Sequence, residues 1–295
     1  MRRPSPVELM LLATIVLWAL NVSVTKYILE HGVAPLAYAT IRYGLAALIF
    51  VVLALFAERS LRIARRDLAR VAFAALTLAV NQLCFVFALD LTTASTIGLL
   101  LGAIPIFAAL FGLALGTERA SERFWVAALV SFAGVSLVAV GAGQSFSGDI
   151  GGIALGLATA ATWAAYSVIL APLMNAYSPT RVSAIVIPAT WVLIASTGLE
   201  QTRGQSWSLD WQIWPLLAFA TVGPLVLTNI LWFKSIHRIG ANRATLAANL
   251  EPFLAAMLAV ILLSEPFGIL ELAGGLLIGA GLVIMRRGTP AAQPT

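Results

Sequence analysis

Ala13-Thr14-Ile15-Val16-Leu17-Trp18-Ala19 recurs 145 residues later as Ala158-Thr159-Ala160-Ala161-Thr162-Trp163-Ala164, with alanine, threonine, tryptophan and alanine in the same register. Pro105, Glu118 and Gly134 recur as Pro252, Glu265 and Gly281, each 147 residues on. Spacing kept over more than a hundred residues marks an internal duplication, and a duplication fixes architecture before any single element is assigned. The chain divides into residues 1–145 and 146–295, the second unit ending in a short tail.

Each unit is built from apolar runs of about 20 residues, the length a helix needs to cross a hydrocarbon core of roughly 30 Å. Charged residues and Pro/Gly punctuation delimit ten such runs: 7–28, 35–57, 68–89, 94–116, 124–142, 150–173, 180–199, 213–235, 242–263 and 267–285. Of the 295 residues 60% are hydrophobic and only 11% charged. A soluble domain carries about 25% charged residues, so a soluble fold is excluded. Arg2 and Arg3 precede an apolar run that is too long for a signal-peptide core and lacks a small-residue cleavage pattern, which makes it a retained first helix. The expected fold is all-α and polytopic. Five spans is an odd number, so the second unit enters the membrane in the opposite sense to the first, which is an inverted-topology repeat.

The net charge of +5 has a topological meaning here rather than a nucleic-acid one. Fifteen Lys and Arg residues, among them Arg62, Arg65 and Arg66, fall on the face that carries both termini. Only Lys26 and Arg203 fall on the other, and Arg42 lies inside a span. The excess places both termini in the cytoplasm and the chain in an inner membrane. Cys84, the lone cysteine, permits neither an internal disulfide nor a cysteine-based metal site.

Two inverted halves create two near-equivalent packings that open to opposite sides, with a substrate site between them near the midplane. Polar side chains inside spans are the candidates for that site, because an unpaired one facing lipid is costly. Trp18 and Trp163 hold the same position in the leading helix of each unit, and Asn21 and Tyr166 follow three residues later on the same face. If those faces point inward they form an aromatic cleft with hydrogen-bonding groups, suited to an apolar or aromatic side chain and to an ammonium; otherwise both indoles are packing elements. Asn81, Gln82 and Asn229 extend the candidate binding set.

Arg42 either clamps a substrate carboxylate, snorkels to the interface, or pairs with Asp90 or Glu265. Glu251 is the one acid deep in a span. It either takes a proton or an ammonium, or receives hydrogen bonds from neighbouring helices and locks the bundle, which is the reading its isolation favours, since Ile104 stands at the matched position. Pro105 and Pro252 break matched helices and are candidate hinges. Gly98/Gly102, Gly112/Gly116, Gly152/Gly156 and Gly275/Gly279 have the spacing that lets helices approach closely. Most of that spacing serves internal packing, so a monomer is expected, with a homodimer as the alternative.

The stretch Ala241-Asn242-x-Ala244-x-x-x-x-Asn249-Leu250-Glu251-Pro252, then Leu263-Ser264-Glu265 and the glycines Gly274, Gly275, Gly279 and Gly281, resembles the drug/metabolite transporter superfamily. Nearly the whole chain is similar to two tandem EamA-type repeats. The resemblance implies a ten-helix bacterial inner-membrane carrier, and among such carriers the chain is most similar to exporters of aromatic and other neutral amino acids. Carriers of other metabolites or of cationic drugs, with Glu251 as a proton-coupling acid, are the alternative. In a wide uncharged cavity Glu251→Gln would leave amino-acid flux largely intact, whereas a drug-cation carrier would lose transport.

Catalysis is not expected. The spans hold no convergent catalytic set, no HExxH and no phosphate-binding glycine loop. Neither a metal nor a cofactor is implied; the partners are a small-molecule substrate and the bilayer, with no nucleic acid.

Overall fold

The computed structural model describes residues 5–58, 61–92, 94–141, 150–255, 257 and 268–286. Among the described residues there is helix and connecting turn but no strand. The helices are α1 (Pro6–Glu30), α2 (Pro35–Glu58), α3 (Leu68–Leu91), α4 (Ala94–Leu101), α5 (Ile104–Ala114), α6 (Glu122–Gly141) and α7 (Ile150–Leu170). They continue with α8 (Pro179–Gly204), α9 (Ile213–Thr221), α10 (Thr228–Ile239), α11 (Ala241–Ala248) and α12 (Ile269–Arg286). Among the described residues eight stretches are long and apolar enough to cross a membrane, and Leu272–Met285 adds a shorter apolar helix. Of the expected ninth span, residues 256 and 258–263 lie outside the described residues, as do Glu265 and the first residue of the expected tenth.

Local sequence explains where helices start. Ser5 caps α1 by accepting from the Glu8 N–H at 3.3 Å while the Glu8 carboxylate accepts from the Ser5 N–H at 2.8 Å, and Pro6 opens the helix. At α8 Ser178 accepts from the Arg181 N–H and Pro179 opens the helix, without the reciprocal carboxylate bond. Large apolar side chains such as Phe56 and Leu276 remain exposed on the outside of the bundle. In a polytopic protein this is the surface that lipid covers.

The principal helix pairs run antiparallel. α2 meets α8 at one end through the Leu36 N–H donating to Gln201 Oε1 at 2.5 Å, and at the other through the 2.8 Å ion pair of Arg181 with Glu58. α3 meets α7 through Asn81 Nδ2 donating to the Thr159 carbonyl at 2.8 Å, and further along where Gly152 lies against Leu91 and Thr92. α6 crosses α12 most closely of all. A Cβ on Gly134 would stand 2.6 Å from the Gly274 carbonyl oxygen, and one on Gly281 would stand 2.7 Å from that of Ala127. These two contacts interchange under the 147-residue offset, so one pseudo-twofold relation serves both.

Two expected spans are interrupted at matched positions. The fourth stops after α4, turns at Gly102-Ala103 and resumes as α5; the ninth stops after α11, turns at Asn249-Leu250 and is helical again over 251–255. The prolines therefore do not kink helix interiors. Pro105 and Pro252 stand second in the resumed helices, where a missing N–H leaves no intrahelical bond unmade. The expected eighth span is one helical path, α9 to α10, through a π-turn at Val222–Leu227.

The glycine pairs do not behave alike. Gly152 and Gly156 both pack on neighbouring helices, whereas Gly116 ends α5 at φ +64° and Gly98 and Gly279 meet nothing within 4 Å. Of the four pairs, Gly152/Gly156 is the two-glycine packing seam.

Candidate functional site

Between the two halves lies a cavity of about 860 Å3 including its mouth. The first half contributes Trp18, Asn21, Arg42, Asn81, Gln82 and Phe85; the second contributes Trp163, Asn229, Glu251 and Pro252. Both helix breaks open onto it, through Leu101 and Gly102 in the first half and Ala248 and Asn249 in the second. Broken helices at a midplane site present unpaired backbone groups and helix ends to a ligand.

One wall is aromatic. Trp18 and Trp163 meet edge to face with ring centroids 5.2 Å apart, and Trp232 lies 5.0 Å from Trp18. Trp18 Nε1 donates to Thr228 Oγ1 at 3.1 Å, which itself donates to the Pro224 carbonyl at 2.6 Å. Trp232, one turn beyond Thr228 on α10, is fully buried and donates to Ser167 Oγ at 3.1 Å. Tyr166 is likewise fully buried, outside the cavity lining, and accepts from Asn229 Nδ2 at 3.2 Å while Ser183 donates to Asn229 Oδ1 at 2.8 Å. Trp232, Tyr166 and Phe233 fill the space between the cavity and the end of the bundle where Arg181 meets Glu58.

Arg42 is only 4% exposed, so it does not snorkel. Its Nε donates to the Ala220 carbonyl at 3.0 Å and an Nη to Asn21 Oδ1 at 3.4 Å, and its guanidinium lies 5.6 Å from the Tyr38 ring centroid. The partner at Ala220 has a local cause. Pro224, four residues on, has no N–H to close an α-turn on that carbonyl. No carboxylate among the described residues lies within ion-pair distance of Arg42, and Asp90 is exposed at the end of α3.

Glu251 also differs from its expected setting. It stands first in the resumed helix, where the dipole favours a carboxylate. It lines the cavity, and among the described residues no hydrogen bond or ion pair holds it. Among the described residues, the cavity thus has one basic and one acidic side chain in its lining, from opposite halves.

Gln82 is 3% exposed and its buried Nε2 has no partner, although it lines the cavity. Asn81, by contrast, is committed to α7 through Thr159 and, at 3.2 Å, Thr162 Oγ1. Asn249 donates to Ser131 Oγ at 3.1 Å and ties the second break to α6. Pro105 is buried away from the cavity, while Pro252 lines it.

The family model described as "EamA-like transporter family" matches this chain twice, over residues 5–140 and 150–287. The chain belongs to the EamA-like transporter family. Its membership and its apolar helices make it a multi-pass membrane transporter of small molecules. Among similar EamA relatives, "Uncharacterized transporter YwfM" of Bacillus subtilis (strain 168) is 24% identical over 86% of this chain and 85% of its own length. An "Uncharacterized transporter" of Archaeoglobus fulgidus is 22% identical over 95% of this chain and 98% of its own. A solved structure described as "Crystal structure of protein" superposes with a TM-score of 0.77 at 19% identity, covering 96% of this EamA chain and 99% of that one. That likeness shows a shared fold.

Trp232 and Pro224 were missed in the sequence. Trp232 is the 147-residue counterpart of Phe85, a cavity residue, so the offset that relates the two halves contains the signal for it. Pro224 was visible as a mid-span proline with an orphaned carbonyl four residues earlier.

Proposed function

We propose that this EamA protein is a secondary carrier of the bacterial inner membrane that exports amino acids, aromatic and other neutral ones, by alternating access of the central cavity. The observation that carries this reading is a single cavity shared by two matched halves, framed by helix breaks at equivalent positions, with an aromatic wall and charged groups of both signs. Ten spans in two inverted fives, with both termini in the cytoplasm, is the topology that the Lys and Arg distribution supports.

An asymmetry between equivalent residues supports the transport cycle. Tyr166 and Trp232 are fully buried outside the cavity lining, while their counterparts Asn21 and Phe85 line the open cavity. In the opposite-facing state the roles exchange: the second set packs together and the first is exposed. Cargo bound to the shared wall then faces the other side.

Export is tested in cells. Cells expressing the protein are expected to accumulate less labelled fluorophenylalanine than cells carrying the empty vector. Equal accumulation at equal expression contradicts amino-acid export.

A further inference from the structure

A buried charge without a counter-charge is costly in a membrane protein and persists where a pathway or ligand uses it. This cavity has one basic and one acidic side chain in its lining. Arg42 reaches it from α2 of the first half, held at Nε by the Ala220 carbonyl and at one Nη by Asn21, both neutral acceptors. Those two bonds orient the guanidinium and leave its charge uncompensated among the described residues. Glu251 reaches the same cavity from the second half, at the start of the resumed helix, with no donor on its carboxylate among the described residues. Gln82 adds a buried amide donor without an acceptor.

We infer that Arg42 and Glu251 are the specificity-determining pair of this cavity and select zwitterions: Arg42, with Gln82 in the same lining, takes the α-carboxylate, and Glu251 takes the α-ammonium. The inference rests on the amino-acid reading above and names the recognition chemistry of that site. A guanidinium matches a carboxylate by paired N–H donors, and the unmet amide of Gln82 supplies a further donor. The carboxylate of Glu251 meets an ammonium in a partly enclosed cavity, where the attraction is stronger than in bulk water. The side chain of the ligand is left to the aromatic wall, so selectivity for the backbone is strict and selectivity for the side chain is broad. A cargo with one charge leaves the other buried group uncompensated.

Direct binding to the purified full-length protein in detergent separates the outcomes, with phenylalanine, phenethylamine and 3-phenylpropionate as probes sharing one ring. The wild type is expected to bind phenylalanine at least about tenfold more tightly than either singly charged analogue, as the loss of one charged hydrogen-bonded contact implies. Arg42→Gln should erase the preference over phenethylamine and keep that over phenylpropionate; Glu251→Gln should do the reverse. Opposite changes in two variants cannot arise from a shared folding defect, and retained binding of one analogue shows that each variant is folded.

Phenylalanine binding with no preference over either analogue, or unchanged preferences in both variants, overturns the zwitterion inference and leaves the amino-acid reading standing. A wild type that binds only the amine or only the carboxylate overturns both and identifies a cation or anion carrier. A wild type that binds none of the three overturns both as well.

Discussion

Trp18 and Trp163, equivalent residues of the two repeats, touch each other edge to face at 5.2 Å between ring centroids. Two equivalent residues can meet only at the axis that relates their halves. The contact therefore lies on the pseudo-twofold of the bundle, and both rings also line the cavity. A wall on the axis is the part of the site that keeps the same partners when the halves exchange conformations.

Removing one ring of that wall should weaken cargo binding without unfolding the protein. Trp163→Ala is expected to lower the affinity for phenylalanine roughly 2- to 10-fold, the range of an aromatic pair interaction, and Trp163→Phe to retain most of it. Titration of labelled phenylalanine against the purified variants reads this out. Equal affinities would assign the indole to packing alone.

The α6–α12 crossing should tolerate nothing larger than glycine. Gly134→Val places its Cβ 2.6 Å from the Gly274 carbonyl oxygen and should cost about 1–3 kcal/mol by overpacking. Gly279→Ala, on the same pair of helices but with nothing within 4 Å, should change stability little. Thermal unfolding in detergent compares the two; similar midpoints would contradict the close crossing.

Glu118, in the turn after α5, accepts from the Asn242 N–H at 3.2 Å and caps α11. Burial pushes its carboxyl above the usual 4.5, opposed by those backbone hydrogen bonds and by Arg243. The folded state then holds the proton more tightly than the unfolded chain, so this contribution is present at low pH and is lost as pH rises through the folded value. Melting midpoints should fall with pH above the ordinary carboxylate range in the wild type and less so in Glu118→Gln. Glu118→Ala should cost about 1 kcal/mol as a lost cap.

Fluorescent-protein fusions test the orientation. A C-terminal fusion should fluoresce, and an alkaline phosphatase fusion at the same point should be inactive, because both report a cytoplasmic terminus. An active phosphatase fusion would reverse the assignment.

The repeat offset made the architecture and much of the site legible. It aligns Trp18 with Trp163 and the break at Gly102 with that at Asn249, and those alignments hold in space. What it did not reveal was decided by tertiary packing. Nothing in the residues around Arg42 shows that a carbonyl on a helix some 180 residues away will meet it; the clue was Pro224, which orphans Ala220. The isolation of Glu251 in sequence suggested a structural anchor, because Ile104 is its counterpart. In the fold its side chain lines the cavity instead, since the matched helix breaks turn both positions inward. The breaks expected at Pro105 and Pro252 lie two residues earlier, because proline is accommodated at a helix start at less cost than in its interior.

The central claim is that one cavity carries amino acids across the membrane by facing each side in turn. Counterflow tests it most directly: proteoliposomes loaded with unlabelled phenylalanine are diluted into a trace of labelled phenylalanine. The account predicts a transient accumulation of label above equilibrium that depends on the internal load and falls in Trp163→Ala. Uptake no greater than in protein-free liposomes, or uptake indifferent to the internal load, would contradict it.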